Sequence, residues 1–345
     1  MKQATESQPP TKRATISDVA RLAGVSISTV SRVVNRTAPV ADETDQQVRD
    51  AIELLNYQPS AAARSLAGFR TNTIGLLLPE LAAAFFIPLM RGIERGAYEA
   101  GYELLVHSTA GPRQGISSAV NAVGEHNTDG LLVFTDQLGE VEIARMRRNG
   151  LPMVMLFQSP PIGLGVPVIL FENRTGAREI VEHLIKVHGR RRIAYLAGPA
   201  GNEDAALREI GYREALEAHG IPFDPLLVAM SNFNSDMAQS VVSDLILQGV
   251  EFDAIFAADD EAAAGAMMAL RRAGKRVPED VSVVGFDDVE FSEYLTPPLT
   301  TIRAPIEEAG NCATQMLVKM IRRQHVLPKM MLETKLIRRQ SCGCN

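Results

Sequence analysis

The sequence predicts a small all-α head carried on a large α/β body of doubly wound parallel sheets. Three observations lead there. Two short helical patterns meet at Gly24, and a third runs from Asp42 to Asn56. Beyond residue 72, short apolar runs alternate with helical stretches. Charge changes sign between the parts: residues 1–70 carry a net +2 and the remainder a net −8. At 345 residues the chain exceeds the roughly 100–200 residues of one domain, so more than one is expected.

The first dozen residues, MKQATESQPPTK, have the composition of a disordered tail. Thr15-Ile16-Ser17-Asp18 then fits a capping box, in which hydroxyl and carboxylate each satisfy an orphan N–H at a helix start. Val19, Ala20, Leu22 and Ala23 give that helix its apolar face. Gly24 ends it where a left-handed residue is wanted, and Ser26 caps a second helix reaching about Asn35. Val30, Val33 and Val34 face inward in the second helix, leaving Ile27, Ser28, Ser31 and Arg32 outside. An outer face of hydroxyls and one arginine suits the major groove of DNA, although a helical hairpin buried in a core gives the same local pattern.

The third helix turns Val48, Ala51, Ile52 and Leu55 to one side. Pro59 stops it. Ser60 caps the two-turn segment Ala61–Ala67, too short to hold helical form in water without a partner. In the body, strands are expected at residues 73–78, 103–107, 130–134, 153–156, 192–197, 254–257 and 281–285, enough for two sheets. Ligands of such sheets bind beyond the carboxyl ends of the strands. That rule singles out Phe85-Phe86, Asp259-Asp260 and Asp287, although an Asp after a strand is commonly a cap and a Phe pair commonly core.

Several function classes are excluded or weakened. No GxGxxG follows a strand, and neither GxxxxGK[ST] nor HExxH occurs, so no enzymatic site assembles and no cofactor is expected. Residues 76–90 are interrupted by Pro79, Glu80 and Pro88, well short of a membrane span of ~20 residues. The N-terminus lacks an apolar signal region, which points to the cytoplasm and away from an exported transport protein. Cys312, Cys342 and Cys344 are expected as plain thiols, because the Cys-x-Cys pair has no histidine near it in sequence; no metal is expected.

The stretches DVARLAGVSISTVSRVVN, NYQPSAAARSLAG, HGRRRIAYLAGP, FAADDEAAAGAM and VPEDVSVVGFDDVEFSEYLTPPLTTIR follow one another through most of the chain. Together they resemble the lactose/galactose repressor family (LacI/GalR) of bacterial transcriptional regulators. The resemblance implies a helix–turn–helix head (residues 14–58) behind a tail (1–13), a hinge helix and linker (59–71), and a two-lobed core like periplasmic binding proteins (72–345). Lobe 1 would hold about 72–173 plus 303–333, and lobe 2 about 174–302 plus 334–341. It implies a homodimer on an inverted-repeat DNA operator, with Leu66 wedging the minor groove beside Ala63. Thr15, Ser26, Ile27, Ser28, Thr29, Ser31, Arg32 and Asn35 would make the other DNA contacts.

By the same resemblance a small effector sits between the lobes, a carbohydrate or derivative, with a purine or nucleoside as the alternative. Arg208 would clamp it, Asp287 would accept from its hydroxyls, and Phe86 and Phe233 would pack on its faces. Gln158, Glu172 and Asp259 complete the expected set, while Asp260 anchors its helix. The chain also departs from the family pattern. Phe157-Gln158 replaces a common Asp-Arg, Glu172-Asn173 an Asp-Asn, and Asp259 an Asn. Thr44-Asp45 stands where Thr-Arg or Thr-Lys is usual, which removes one expected phosphate contact.

Overall fold

The computed structural model describes residues 14–35, 38–57, 70–109, 122–135 and 138–344. The chain divides into two compact units, residues 1–71 and 72–345.

The first unit is helical: α1 (Ile16–Ala23), α2 (Ile27–Asn35) and α3 (Asp42–Leu54). Thr15 and Asp18 form the reciprocal capping box at the start of α1, and Gly24 closes that helix at φ 67°. Ser26 accepts from the Thr29 N–H at 3.1 Å and so starts α2. Val19, Val30, Val33, Val48, Ala51 and Tyr57 bury the small core, with Val34, Ile52 and Leu55 packed at its edge. Helix α3 is shorter than its periodicity suggests, stopping at Leu54 before the positive φ of Asn56. Asp45 pairs with Arg49 one turn on, so this acid is neutralised locally. The expected hinge helix, with Ala63 and Leu66, lies outside the described residues.

The second unit holds two six-stranded sheets, with strand orders β11-β5-β4-β3-β1-β2 and β12-β10-β9-β8-β6-β7. The strands of the first are β1 (Thr73–Leu78), β2 (Glu103–Ser108), β3 (Gly130–Val133), β4 (Met153–Leu156), β5 (Val168–Phe171) and β11 (Lys329–Leu332). The second holds β6 (Ile193–Ala197), β7 (Val228–Met230), β8 (Ala254–Ala257), β9 (Ser282–Asp287), β10 (Thr300–Arg303) and β12 (Lys335–Ile337). Helices wrap both: α4 (Phe86–Ala100), α5 (Glu140–Arg148) and α10 (Ile306–Ile321) belong with the first. The second carries α6 (Asn173–His188), α7 (Glu203–Ala218), α8 (Ser235–Leu247) and α9 (Asp260–Arg272). The chain therefore crosses between lobes after β5, after β10, and between β11 and β12.

Most of the central strands are the apolar runs legible in the sequence, because strands buried on both faces read as continuous hydrophobic segments. β5, β7, β10, β11 and β12 escaped that reading. β7, β11 and β12 are edge strands with alternating or open exposure, while β5 and β10 are short interior strands of four residues each. The sheets are also not wholly parallel, since β12 runs antiparallel to β10. At the α4–α10 crossing a Cβ on Gly92 would lie 1.9 Å from the Glu307 carbonyl, so only glycine permits that approach. No helix among the described residues is long and apolar enough to cross a membrane.

At the tail, Cys342 and Cys344 have two histidines beside them in space, His183 and His188, brought there by α6 from over 150 residues away in sequence.

Candidate functional site

The carboxyl ends of both sheets open onto one cavity of about 490 Å³ between the lobes. Lobe 1 supplies an aromatic wall. Phe86 is the first residue of α4 and not, as expected, part of a loop; Phe85 precedes it, Phe134 follows β3 and Phe157 follows β4. Phe134 and Phe157 meet edge to face with centroids 5.0 Å apart, and Phe85 lies 5.5 Å from Phe157. Phe157 stacks in turn on Phe171 at 4.5 Å. Such edge-to-face and offset contacts suit ring quadrupoles and make the wall rigid.

Lobe 2 supplies the polar wall. Arg208, on α7, donates from Nε to Asn173 Oδ1 (2.8 Å), from Nη1 to the Ala258 carbonyl (2.6 Å) and from Nη2 to Asp287 Oδ1 (3.0 Å). Its guanidinium lies 3.8 Å from the Phe286 ring centroid, so the plane is fixed on one face as well. Asn173 donates onward to Asp204 Oδ1 at 2.7 Å. Burial pushes the Asp287 carboxyl up to about 6 despite the neighbouring Arg208, and pushes Asp204 up to about 7. Asp260 is likewise raised to about 7 by burial; it accepts from the Val289 N–H, the Ser292 hydroxyl and the Thr301 hydroxyl, tying α9 to β10 and to the segment after β9.

Asp259 lines the cavity, but its Oδ1 caps α9 by accepting from the Ala262 N–H at 3.0 Å. Burial raises this carboxyl well above its ordinary value. Gln158 and Phe233 also line the cavity. Glu172 does not, which corrects the expectation for it. Phe171 turns into the core, so the next residue points the other way, and the Glu172 carboxylate accepts from the Thr175 hydroxyl at 3.3 Å. Its neighbour Asn173 turns inward to meet Arg208. Sequence reasoning missed Asn173, Asp204 and Phe134. For Asn173 a signal existed, namely its place just beyond β5, a strand the apolar-run reading passed over.

Phe157, Asn232, Phe233, Asp287 and Asp288 all have φ between 53° and 112°. Non-glycine residues held there cost of order 1–3 kcal/mol each, and such strain concentrates at ligand clamps. The cavity rim is bridged from lobe to lobe: the Ala84 N–H donates to Glu261 Oε1 at 2.8 Å, and Ser159 donates from backbone and hydroxyl to Glu203 at 2.6 and 2.7 Å.

A second candidate surface lies on the helical unit. Ser26, Ile27, Ser28 and Arg32 are exposed along α2, while Thr29 and Ser31 are half-buried. Ile27 leaves 51% of its surface in solvent. Thr15 is exposed, with its hydroxyl donating to Asp18 Oδ2 at 2.7 Å. Asn35 ends α2, and its side chain lies outside the described residues.

Comparison with known proteins follows this division. Residues 15–60 match the family model described as bacterial regulatory proteins, lacI family, and residues 181–342 match a periplasmic binding protein-like domain. The chain is 36% identical to the ribose operon repressor of Halalkalibacterium halodurans, over 90% of this chain and 91% of that protein. It is also 36% identical to the HTH-type transcriptional repressor PurR of Vibrio atlanticus, over 90% and 92%. A crystal structure of the lac repressor dimer bound to operator and the anti-inducer ONPF superposes with a TM-score of 0.78 at 30% identity, covering 96% of this chain and 99% of that one. With that identity sustained along both units, the chain belongs to the lacI family of bacterial regulatory proteins.

Proposed function

We propose that this protein is a cytoplasmic repressor that binds an inverted-repeat operator as a homodimer and is controlled by an uncharged, polyhydroxylated ligand held between the lobes of its body. Regulation, not catalysis, is the business of this family. The observation that carries the choice of ligand is the cavity's lining of carboxyl groups and its shortage of cations. Glu80, Glu203, Asp204, Asp259, Asp260, Glu261 and Asp287 line it, and Arg208, already paired with Asp287, is the one cation among the described lining residues. Carboxyl groups hydrogen-bond hydroxyls whether ionised or protonated, whereas a phosphate needs cationic or N–H donors that this lining commits to its own carboxyls. A neutral sugar fits: its hydroxyls face the carboxylates while its C–H face lies on the phenylalanines. The ribose operon repressor among the relatives agrees with that chemistry.

A free base or nucleoside is the second reading, favoured by the phenylalanines that line the cavity and by the PurR relative. Both readings exclude the phosphorylated forms. The test is a thermal-shift screen of neutral sugars, nucleosides and their phosphates, followed by operator-binding anisotropy. A ligand at ~100 times its dissociation constant stabilises by about 2.7 kcal/mol, a readily measured shift. Stabilisation by sugar phosphates or nucleotides, with none by their neutral parents, would overturn the proposal.

Allostery then follows from differential contact. The rim bridges between Ser159 and Glu203 and between Ala84 and Glu261 exist only while the lobes are close, so a ligand that prefers the closed cavity shifts the lobes toward that arrangement. On the helical unit, Arg32 offers a fork for a guanine edge, and Ser28 a hydroxyl for a base or phosphate.

A further inference from the structure

The tail of the chain meets the end of α6 in a way that hydrogen bonding does not explain. His183 Nε2 lies 3.2 Å from His188 Nε2, 3.6 Å from Cys342 Sγ and 3.4 Å from Cys344 Sγ. Cys344 Sγ lies 3.5 Å from His188 Nε2, and all four atoms fall within 4.8 Å of one another. A single imidazole nitrogen carries one proton or one lone pair, so it can serve one of these three neighbours, not all. A metal at their centre would use every one of them. Zinc bonds of about 2.05 Å to nitrogen and about 2.3 Å to sulfur give a tetrahedron with edges of about 3.3 Å (N to N) and about 3.6 Å (N to S). The one N-to-N and three N-to-S separations above match those edges.

We propose that His183, His188, Cys342 and Cys344 form a structural zinc site, one ion per chain, that fastens the C-terminal tail to α6. Two thiolates and two neutral imidazoles cancel the charge of the ion and leave no open position, which marks a structural and not a catalytic centre. The surroundings are built to hold the ligands. Gly343, at φ 107°, makes the turn that points both cysteines the same way, and a Cβ there would lie 3.2 Å from His188 Nδ1. Thr300 Oγ1 donates to Cys342 Sγ at 3.1 Å, the Cys342 carbonyl accepts from the Ser282 hydroxyl at 2.9 Å, and the Ser341 hydroxyl donates to the Val283 carbonyl at 2.5 Å. Such outer contacts orient metal ligands and raise affinity. The site lies at the amino end of β9, the opposite end from Asp287, so it steadies lobe 2 without touching the cavity.

The test uses the full-length protein, reduced, dialysed against Zn²⁺ and then desalted. Elemental analysis should give one zinc per chain, and exchange with Co²⁺ should give the intense visible bands of a tetrahedral ion with a thiolate charge-transfer band. Cys344→Ser and His188→Ala, at half-buried positions, should each lose the metal and lower the melting temperature. Cys312→Ser, on α10, should retain it. Because loss of the buried Cys342 risks misfolding, it is left out, and circular dichroism checks that the two variants are folded. Folded wild-type protein that takes up no zinc, a weak octahedral cobalt spectrum, a Cys342–Cys344 disulfide persisting under reductant, or full zinc content in Cys344→Ser would each overturn the site.

Discussion

Arg208 and Asp287, 79 residues apart in sequence, meet at 3.0 Å in the buried wall of the cavity, and the same guanidinium also holds Asn173 and the Ala258 carbonyl. The pair is thus a structural bridge in its own right. Arg208→Ala should destabilise the body by about 3–5 kcal/mol, the usual cost of stranding one partner of a buried pair. Arg208→Lys keeps the charge but not the fork, so it should melt lower than wild type and bind ligand at least about tenfold more weakly. Calorimetry and thermal melts decide; wild-type values for Arg208→Lys would show that the fork is dispensable.

Gly198 offers a way to move Phe233, the phenylalanine on the lobe 2 side of the cavity, without touching a polar group. A Cβ there would fall 2.4 Å from Phe233 Cζ and 2.8 Å from Ala205 Cβ, so Gly198→Ala must displace the Phe233 ring from its place near Arg208. Ligand affinity should fall while operator binding without ligand stays as in the parent. Equal loss of both would show that the substitution disturbs the fold of the body.

Arg32 is exposed on α2 beside Ser28 and is read as a base contact. Arg32→Ala should cost about 1–3 kcal/mol on the operator and relax preference at one base pair. A selection experiment compares the two proteins. If affinity drops uniformly over all sequences, Arg32 is a phosphate contact.

Asp204 gives a pH signature. Its carboxyl is raised from 3.8 to about 7 in the fold, so the stability it contributes is full below about 4 and is lost as pH rises through 7. Asp204→Asn removes that ionisation while keeping the side-chain shape. The melting temperature of the variant relative to wild type should therefore rise by a few degrees between about pH 5 and about pH 8. Taking the difference removes the contribution of Asp260, whose carboxyl is also raised to about 7 by burial. A pH-independent difference would mean Asp204 titrates in the ordinary range.

The local signals in the sequence decided the helical unit. Thr15-x-x-Asp18, Gly24 and Ser26 are caps whose partners lie within four residues, and Val30 and Val33 reveal their inward face by spacing alone. The central strands β1, β4 and β8 were equally legible, because a strand buried on both faces must be apolar throughout. Arg208, Asp287, Phe86 and Phe233 were named from family resemblance and from the rule that ligands sit beyond strand ends.

Tertiary structure decided what depends on partners distant in the chain. Edge strands such as β12 take their hydrogen bonds from a neighbour and carry little apolar surface, so nothing in their own residues announces them. Glu172 and Asn173 are adjacent, and only the way the chain leaves β5 and enters α6 determines that the asparagine reaches Arg208 while the glutamate turns away. Asp259 caps a helix and lines the cavity at once, a double role set by where α9 begins. The cluster of His183, His188, Cys342 and Cys344 shows the limit most plainly: His183 and Cys342 are 159 positions apart, and groups brought together across that distance have no spacing for a sequence to display.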